Sequence, residues 1–145
     1  MHRLELTEVF AAPVERVYGA WIDARQLQLW FTPGDMRVPE ATADVRPGGH
    51  YRIVMEGSDG QRHIVAGQYR EIVPNERLAF TWQWEHGSVV THVDVTFRAV
   101  GAEQTELSLV HTQFDNADQR ERHNRGWSSC LASLARYLRT SRSPP

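Results

Sequence analysis

The chain has 145 residues, a length that fits one domain and is short for two. With 41% hydrophobic and 23% charged residues it has a globular rather than a disordered makeup, and a net charge of -2 gives no footprint for nucleic acid or an anionic membrane. All 16 basic residues are arginine, which excludes a Schiff-base, P-loop or kinase-type lysine, and the single Cys130 excludes an intrachain disulfide framework or a cysteine-based zinc cluster.

The absence of lysine fits the codon usage of a GC-rich bacterial genome. The amino terminus has no apolar signal core, and no run approaches the roughly 20 apolar residues of a membrane span. The expectation is a cytoplasmic protein without membrane insertion. Residues 1–139 read as one domain and residues 140–145, polar and ending in two prolines, as a flexible tail.

In chain order, Leu4, Leu6 and Val9 begin an apolar pattern that predicts a first strand. Pro13 suits the first turn of a helix, where its missing N–H is not needed. Val14, Val17, Tyr18, Trp21 and Ile22 then recur at three- and four-residue spacing, one face of that helix. Asp23 is placed to cap a second short helix carrying Leu27, Trp30 and Phe31, which Thr32-Pro33-Gly34-Asp35 ends.

From residue 41 to 114 the period is two. Pro47-Gly48-Gly49 turns into a strand with Tyr51, Ile53 and Met55 on one face, and Gly57-Ser58-Asp59-Gly60 signals a hairpin because its turn needs positive φ. A strand from about His63 to Val73 ends at Pro74-Asn75-Glu76. Phe80, Trp82 and Trp84 alternate along the next, Val93, Val95 and Phe97 along another, and Leu107, Leu109 and His111 share a face of the last. Strands joined by tight turns predict an antiparallel meander, since parallel strands need long crossovers. A final helix opens at Asn116 with Gln119 three residues on, a capping-box pattern. Its first half is polar, and its second half carries the stripe Trp127, Leu131, Leu134, Leu138. Such a helix anchors one half on a sheet and leaves the other over something wetter.

These segments carry a resemblance. Phe10-Ala11-Ala12-Pro13-Val14-Glu15-Arg16-Val17-Tyr18 resembles the opening of the SRPBCC (START-like, Bet v 1-like) superfamily. Trp30-Phe31-Thr32-Pro33 resembles a segment of its branch similar to the C-terminal domain of the Hsp90 ATPase activator. Arg46-Pro47-Gly48-Gly49, Asp59-Gly60, Gly67, Pro74-Asn75-Glu76-Arg77-Leu78, Thr105-Glu106-Leu107 and Gly126-Trp127 follow in the same order as in that branch. The resemblance implies an α+β helix-grip fold. A curved antiparallel sheet of six or seven strands wraps a long C-terminal helix, two short helices follow the first strand, and an apolar cavity lies between sheet and helix. It says little about activity, because the superfamily hosts carriers, cyclases, lyases and hydrolases.

The five tryptophans are the most informative residues. Trp82 and Trp84 share a strand face with Phe80, and the implied fold sets Trp30 and Trp127 opposite them. Each reads either as plain core or as cavity wall. The candidate wall adds Phe31, Tyr51, Ile53, Met55 and Tyr69 on one side and Val93, Val95 and Leu109 on the other. His111 is a core histidine or, in an enzyme, the weak candidate for acid–base work, and His123, one turn before Trp127, is a solvated position or a residue of the same mouth. Glu56, Glu71, Glu85, Asp94 and Glu106 read as solvated strand positions, with Glu71 the exception to watch because it shares parity with Val65, Gly67 and Tyr69. Ser128-Ser129-Cys130 has no nucleophile elbow, Cys130 reads as a small apolar residue packed on the sheet, and the basic cluster Arg120, Arg122, Arg125 reads as a solvated face.

The histidine spacings fit no metal motif, and neither metal nor cofactor is expected. The first functional reading is a binding protein for a hydrophobic, aromatic or lipid-like small molecule, acting as a monomer or weak homodimer. The alternatives are a cyclase, dehydratase or hydrolase using the same cavity, and a co-chaperone-like interaction module marked by an apolar patch on the sheet's outer face.

Overall fold

The computed structural model describes residues 2–32 and 35–140. Strand β1 spans His2–Phe10, helix α1 Val14–Ile22 and helix α2 Ala24–Trp30. Six strands follow: β2 Arg37–Ala43, β3 His50–Glu56, β4 Arg62–Val73, β5 Arg77–Trp84, β6 Thr91–Gly101 and β7 Gln104–Phe114. Helix α3, Ala117–Thr140, closes the chain. All seven strands form one curved antiparallel sheet in the order β1-β7-β6-β5-β4-β3-β2. Since β1 and β2 lie at opposite edges, α1 and α2 carry the chain across the concave face, and α3 packs there beside them.

Local chemistry accounts for the boundaries. Asp23 caps α2 by accepting from the Arg25 N–H at 3.0 Å, as the sequence predicts. Asn116 caps α3 by accepting from the Gln119 N–H at 2.9 Å. The hairpin turn at residues 57–60 puts Gly60 at φ 81°, and Asn75 takes φ 64° between β4 and β5. Gly67 is a close-approach position: a Cβ there would stand 1.9 Å from the Thr81 carbonyl oxygen and 2.7 Å from the Tyr51 ring. The missing side chain lets the Tyr51 hydroxyl reach and donate to that same carbonyl at 2.5 Å. The expected end of α2 at Thr32-Pro33-Gly34-Asp35 falls partly, and the tail almost wholly, outside the described residues.

Three features depart from the strict period of two. Strand β2 has no clear apolar alternation and contains Pro39, which an edge strand tolerates because one side of its backbone is unpaired. The β4–β5 register shifts between Tyr69 and Glu71. That bulge breaks the parity of Glu71 with Tyr69, and the Glu71 carboxylate is exposed and paired with Arg77 on the outer face. In β7, the four residues from His111 to Phe114 face three of β1, from Leu4 back to His2, and Gln113 sits at φ 73°. The bulge turns Phe114 inward beside His111, where regular alternation would have placed Gln113.

The core lies between the concave face and the helices. Trp127, Leu131, Leu134 and Leu138 are all buried, as the helical stripe predicts. The outer face is polar, with Arg77 bridging Glu71 and Asp94 and Arg98 pairing with Glu106. Among the described residues the exposed large apolar side chains are scattered: Val9, Leu29, Val89, Val90 and Val100. No helix among them is long and apolar enough to cross a membrane.

Candidate ligand site

Where the first half of α3 passes over the ends of β4 and β5, the sheet and helix separate. The gap is an open pocket of about 370 Å³. Its apolar surface comes from Phe31, Met36, Met55, Trp82, Trp84, Trp127 and Cys130, with Gly126 leaving room on the helix. Its polar side chains are His63, His86, Gln119, Arg122 and His123. A neighbouring cleft of about 180 Å³ shares Trp82, Trp84, His86, Gln119 and His123 and adds Val89, Thr91, Phe114 and Asp115. Pockets of a few hundred Å³ with an apolar shell and a few polar groups suit small molecules.

Deeper in the concave face the space is nearly filled. Trp21, Tyr51, Ile53, Tyr69, Phe80 and Trp82 are among the residues that enclose only about 20 Å³, room for about one water. The expected wall therefore divides. Phe31, Met55, Trp82, Trp84, His123 and Trp127 come together around the open pocket. Tyr51, Ile53, Tyr69 and Phe80 belong to the packed interior, and Val93, Val95 and Leu109 are buried in the core. Trp30 is fully buried and donates its indole N–H to the Ala20 carbonyl at 2.8 Å, which ties α2 to α1.

Two histidines hold two of the pocket indoles. The Trp127 indole N–H donates to His111 Nδ1 at 3.0 Å. His111 Nε2 lies 2.7 Å from the Thr91 hydroxyl, which itself donates to the Trp82 carbonyl at 3.1 Å. The network is satisfied when His111 is neutral and carries its proton on Nε2. Burial, reinforced by His123 and His92, lowers its pKa well below the ordinary value of 6.5. His111 is wholly buried and does not line the pocket; it sets the angle of a residue that does.

His123 repeats the arrangement nearer the surface. It donates from Nδ1 to the Gln119 carbonyl at 2.7 Å and accepts at Nε2 from the Trp84 indole at 3.0 Å. Burial lowers its pKa, opposed by the Gln119 bond and assisted by Arg122. The His111 and His123 rings stand 5.2 Å apart with Phe114 against both, at 4.3 and 4.8 Å. The bulge in β7 is what brings Phe114 into that position.

Trp82 differs from these two. It contacts Trp84 and Trp127 edge-on and tilted, yet its indole nitrogen is buried with no hydrogen-bond partner. An unsatisfied buried donor costs on the order of 1–3 kcal/mol. Cys130 also reaches the pocket, but burial raises its thiol pKa and keeps it protonated.

Sequence reasoning missed Met36, His63, His86, Gln119, Arg122, Gly126 and the pocket position of Cys130. A signal exists for the helical ones: 119, 122–123, 126–127 and 130 recur every three or four residues and continue the apolar stripe toward the amino end of α3. For His63 and His86 there is none, because their positions depend on strand pairing and on a turn.

A seven-stranded antiparallel sheet gripping a long terminal helix, with two short helices after the first strand, defines a helix-grip protein of the SRPBCC kind. The chain belongs to the Activator of Hsp90 ATPase homolog 1-like protein family, whose model matches residues 11–139. A protein from Chromobacterium violaceum is 28% identical, with 94% of this chain and 96% of that one covered and a TM-score of 0.84. The AHSA1 protein from Silicibacter pomeroyi is 29% identical over 97% of this chain and 100% of that one, also with a TM-score of 0.84. DynU16, from the dynemicin biosynthetic locus, shares the fold: 24% identity, 97% of this chain and 48% of that one, TM-score 0.79. No curated protein matches. The family and fold suggest a ligand-binding or chaperone-like module.

Proposed function

We propose that this protein binds a hydrophobic small molecule in the open pocket between α3 and the ends of β4 and β5. One observation carries the reading: Trp82, Trp84 and Trp127 converge on a space of about 370 Å³, and two histidines fix two of these indoles in orientation. A core that only needed apolar bulk would gain nothing from half-buried Trp84 held by a hydrogen bond at the rim.

The scattered exposed apolar residues and the ion-paired outer sheet offer no comparable surface to a protein partner. Both nitrogens of His111 are committed to Thr91 and Trp127, so we assign it a positioning role for Trp127 rather than acid–base work.

Burying about 200–300 Å² of ligand apolar surface supplies on the order of 5–8 kcal/mol before ordering costs, so micromolar affinity is expected. Titration with naphthalene-based compounds should quench or shift tryptophan emission and raise the melting temperature. Trp84→Ala should weaken the response about tenfold or more while the variant stays folded. Unchanged emission and unchanged melting temperature across such compounds would end the binding reading.

A further inference from the structure

The polar groups of the pocket are of one kind. Its lining includes one arginine, three histidines and one glutamine, and no aspartate or glutamate. Nor do these groups form a metal site, for among the described residues no three His, Cys, Asp or Glu side chains converge closely enough to hold an ion.

Their hydrogen-bonding capacity is unevenly used. Both nitrogens of His123 are occupied, by Trp84 and by the Gln119 carbonyl. Among the described residues the side chains of His63, His86 and Gln119 have no hydrogen-bond partner, and each has an N–H to donate. Arg122 meets a single carboxylate, with its Nε 3.2 Å from Asp118 one turn earlier on the same exposed helix face. An exposed pair of that spacing contributes little, so Asp118 competes weakly for the guanidinium. The terminal nitrogens of Arg122 stay available, in the fork geometry that fits a carboxylate. Asp115 lines the neighbouring cleft and not the pocket.

We infer that the ligand is an amphiphile with one negative charge, its apolar body lying on Trp82, Trp84 and Trp127 and its anionic group held at the mouth by Arg122. This rests on the binding reading above and adds to it the chemical class of the ligand. The floor is apolar, formed by Phe31, Met36 and Met55 together with the indoles, so a charge has no partner there. At the mouth the uncommitted polar groups are donors, and an oxyanion accepts from them where a second cation or a bare hydrocarbon end would leave them unused. A carboxylate at the end of a flat ring system or a short alkyl chain meets both demands.

The experiment compares acids and alcohols of the same body: 1-naphthaleneacetate against 1-naphthaleneethanol, and decanoate against decanol, by calorimetry at low salt. The acid of each pair is expected to bind about tenfold tighter than its alcohol, a difference of 1.4 kcal/mol. In Arg122→Gln the acid should fall to the affinity of the alcohol. Arg122 is exposed on α3 and glutamine is a good helix former, so the variant keeps the fold. Equal affinities for acid and alcohol in the unaltered protein, or an acid advantage that survives in Arg122→Gln, would overturn the inference and leave the binding reading standing. If neither member of either pair binds, both are overturned.

Discussion

His111 and His123 are each a neutral acceptor for an indole N–H, and the same feature makes both sensitive to acid. Protonating either at its acceptor nitrogen would set an N–H against an N–H. Burial, first of all, makes both hold a proton less readily in the folded protein than the ordinary imidazole value of 6.5. The unfolded chain takes up protons first as the pH falls, so the stability these residues contribute is full above about pH 6.5 and declines below it toward the folded pKa. His111 is the more strongly lowered and should dominate. His111→Gln keeps an acceptor for Trp127 and a donor for Thr91 but cannot titrate. Its melting temperature should vary less between pH 7 and pH 5 than that of the unaltered protein. An identical pH profile would show that His111 is not held neutral in the fold. None of this pairing is legible in the sequence. His111 reads there as one more inward position of β7, and its partner lies 16 residues on, in another element. The indole bond forms only once α3 is docked.

At the scale of elements the sequence is far more transparent, because each signal is local. The cap of α2 at Asp23, the Asn116 cap of α3, the hairpin at Gly57–Gly60 and the alternation of Phe80, Trp82 and Trp84 all need only near neighbours. What escapes is what two strands decide together. The bulges in β4 and β7 shift the parity of Glu71 and Phe114, and each depends on the partner strand's register rather than on composition. Edge strand β2 escapes because Pro39 and a weak apolar pattern hide it. The α3 stripe is the firmest of the local signals and carries a direct energetic consequence. Leu134 is wholly buried between helix and sheet. Leu134→Ala should cost about 2–5 kcal/mol through lost burial and the cavity left behind. Denaturant unfolding measures it, and a loss under 1 kcal/mol would mean that this face of α3 bears little of the core.

For the whole molecule, the division of α3 into an anchored half and an overhanging half creates the pocket. The apolar half seals most of the concave face, leaving only about 20 Å³ among the inner aromatics, while the polar half lifts over a space of about 370 Å³. The resemblance to the helix-grip family implies a cavity under the helix but does not say how much of it is filled. That depends on the summed volumes of Trp21, Trp30, Tyr51, Tyr69 and Phe80, which occupy the interior where a roomier member would be hollow. The five indoles therefore report on place: three border the pocket, while Trp21 and Trp30 stand behind it. The most direct measurement is the set of indole N–H resonances followed by NMR during titration with 1-naphthaleneacetate. The signals of Trp82, Trp84 and Trp127 should shift with a common micromolar dissociation constant, while Trp30, bonded to Ala20, stays in place. Five unmoved signals, or shifts confined to Trp21 and Trp30, would contradict a ligand pocket beneath the polar half of α3.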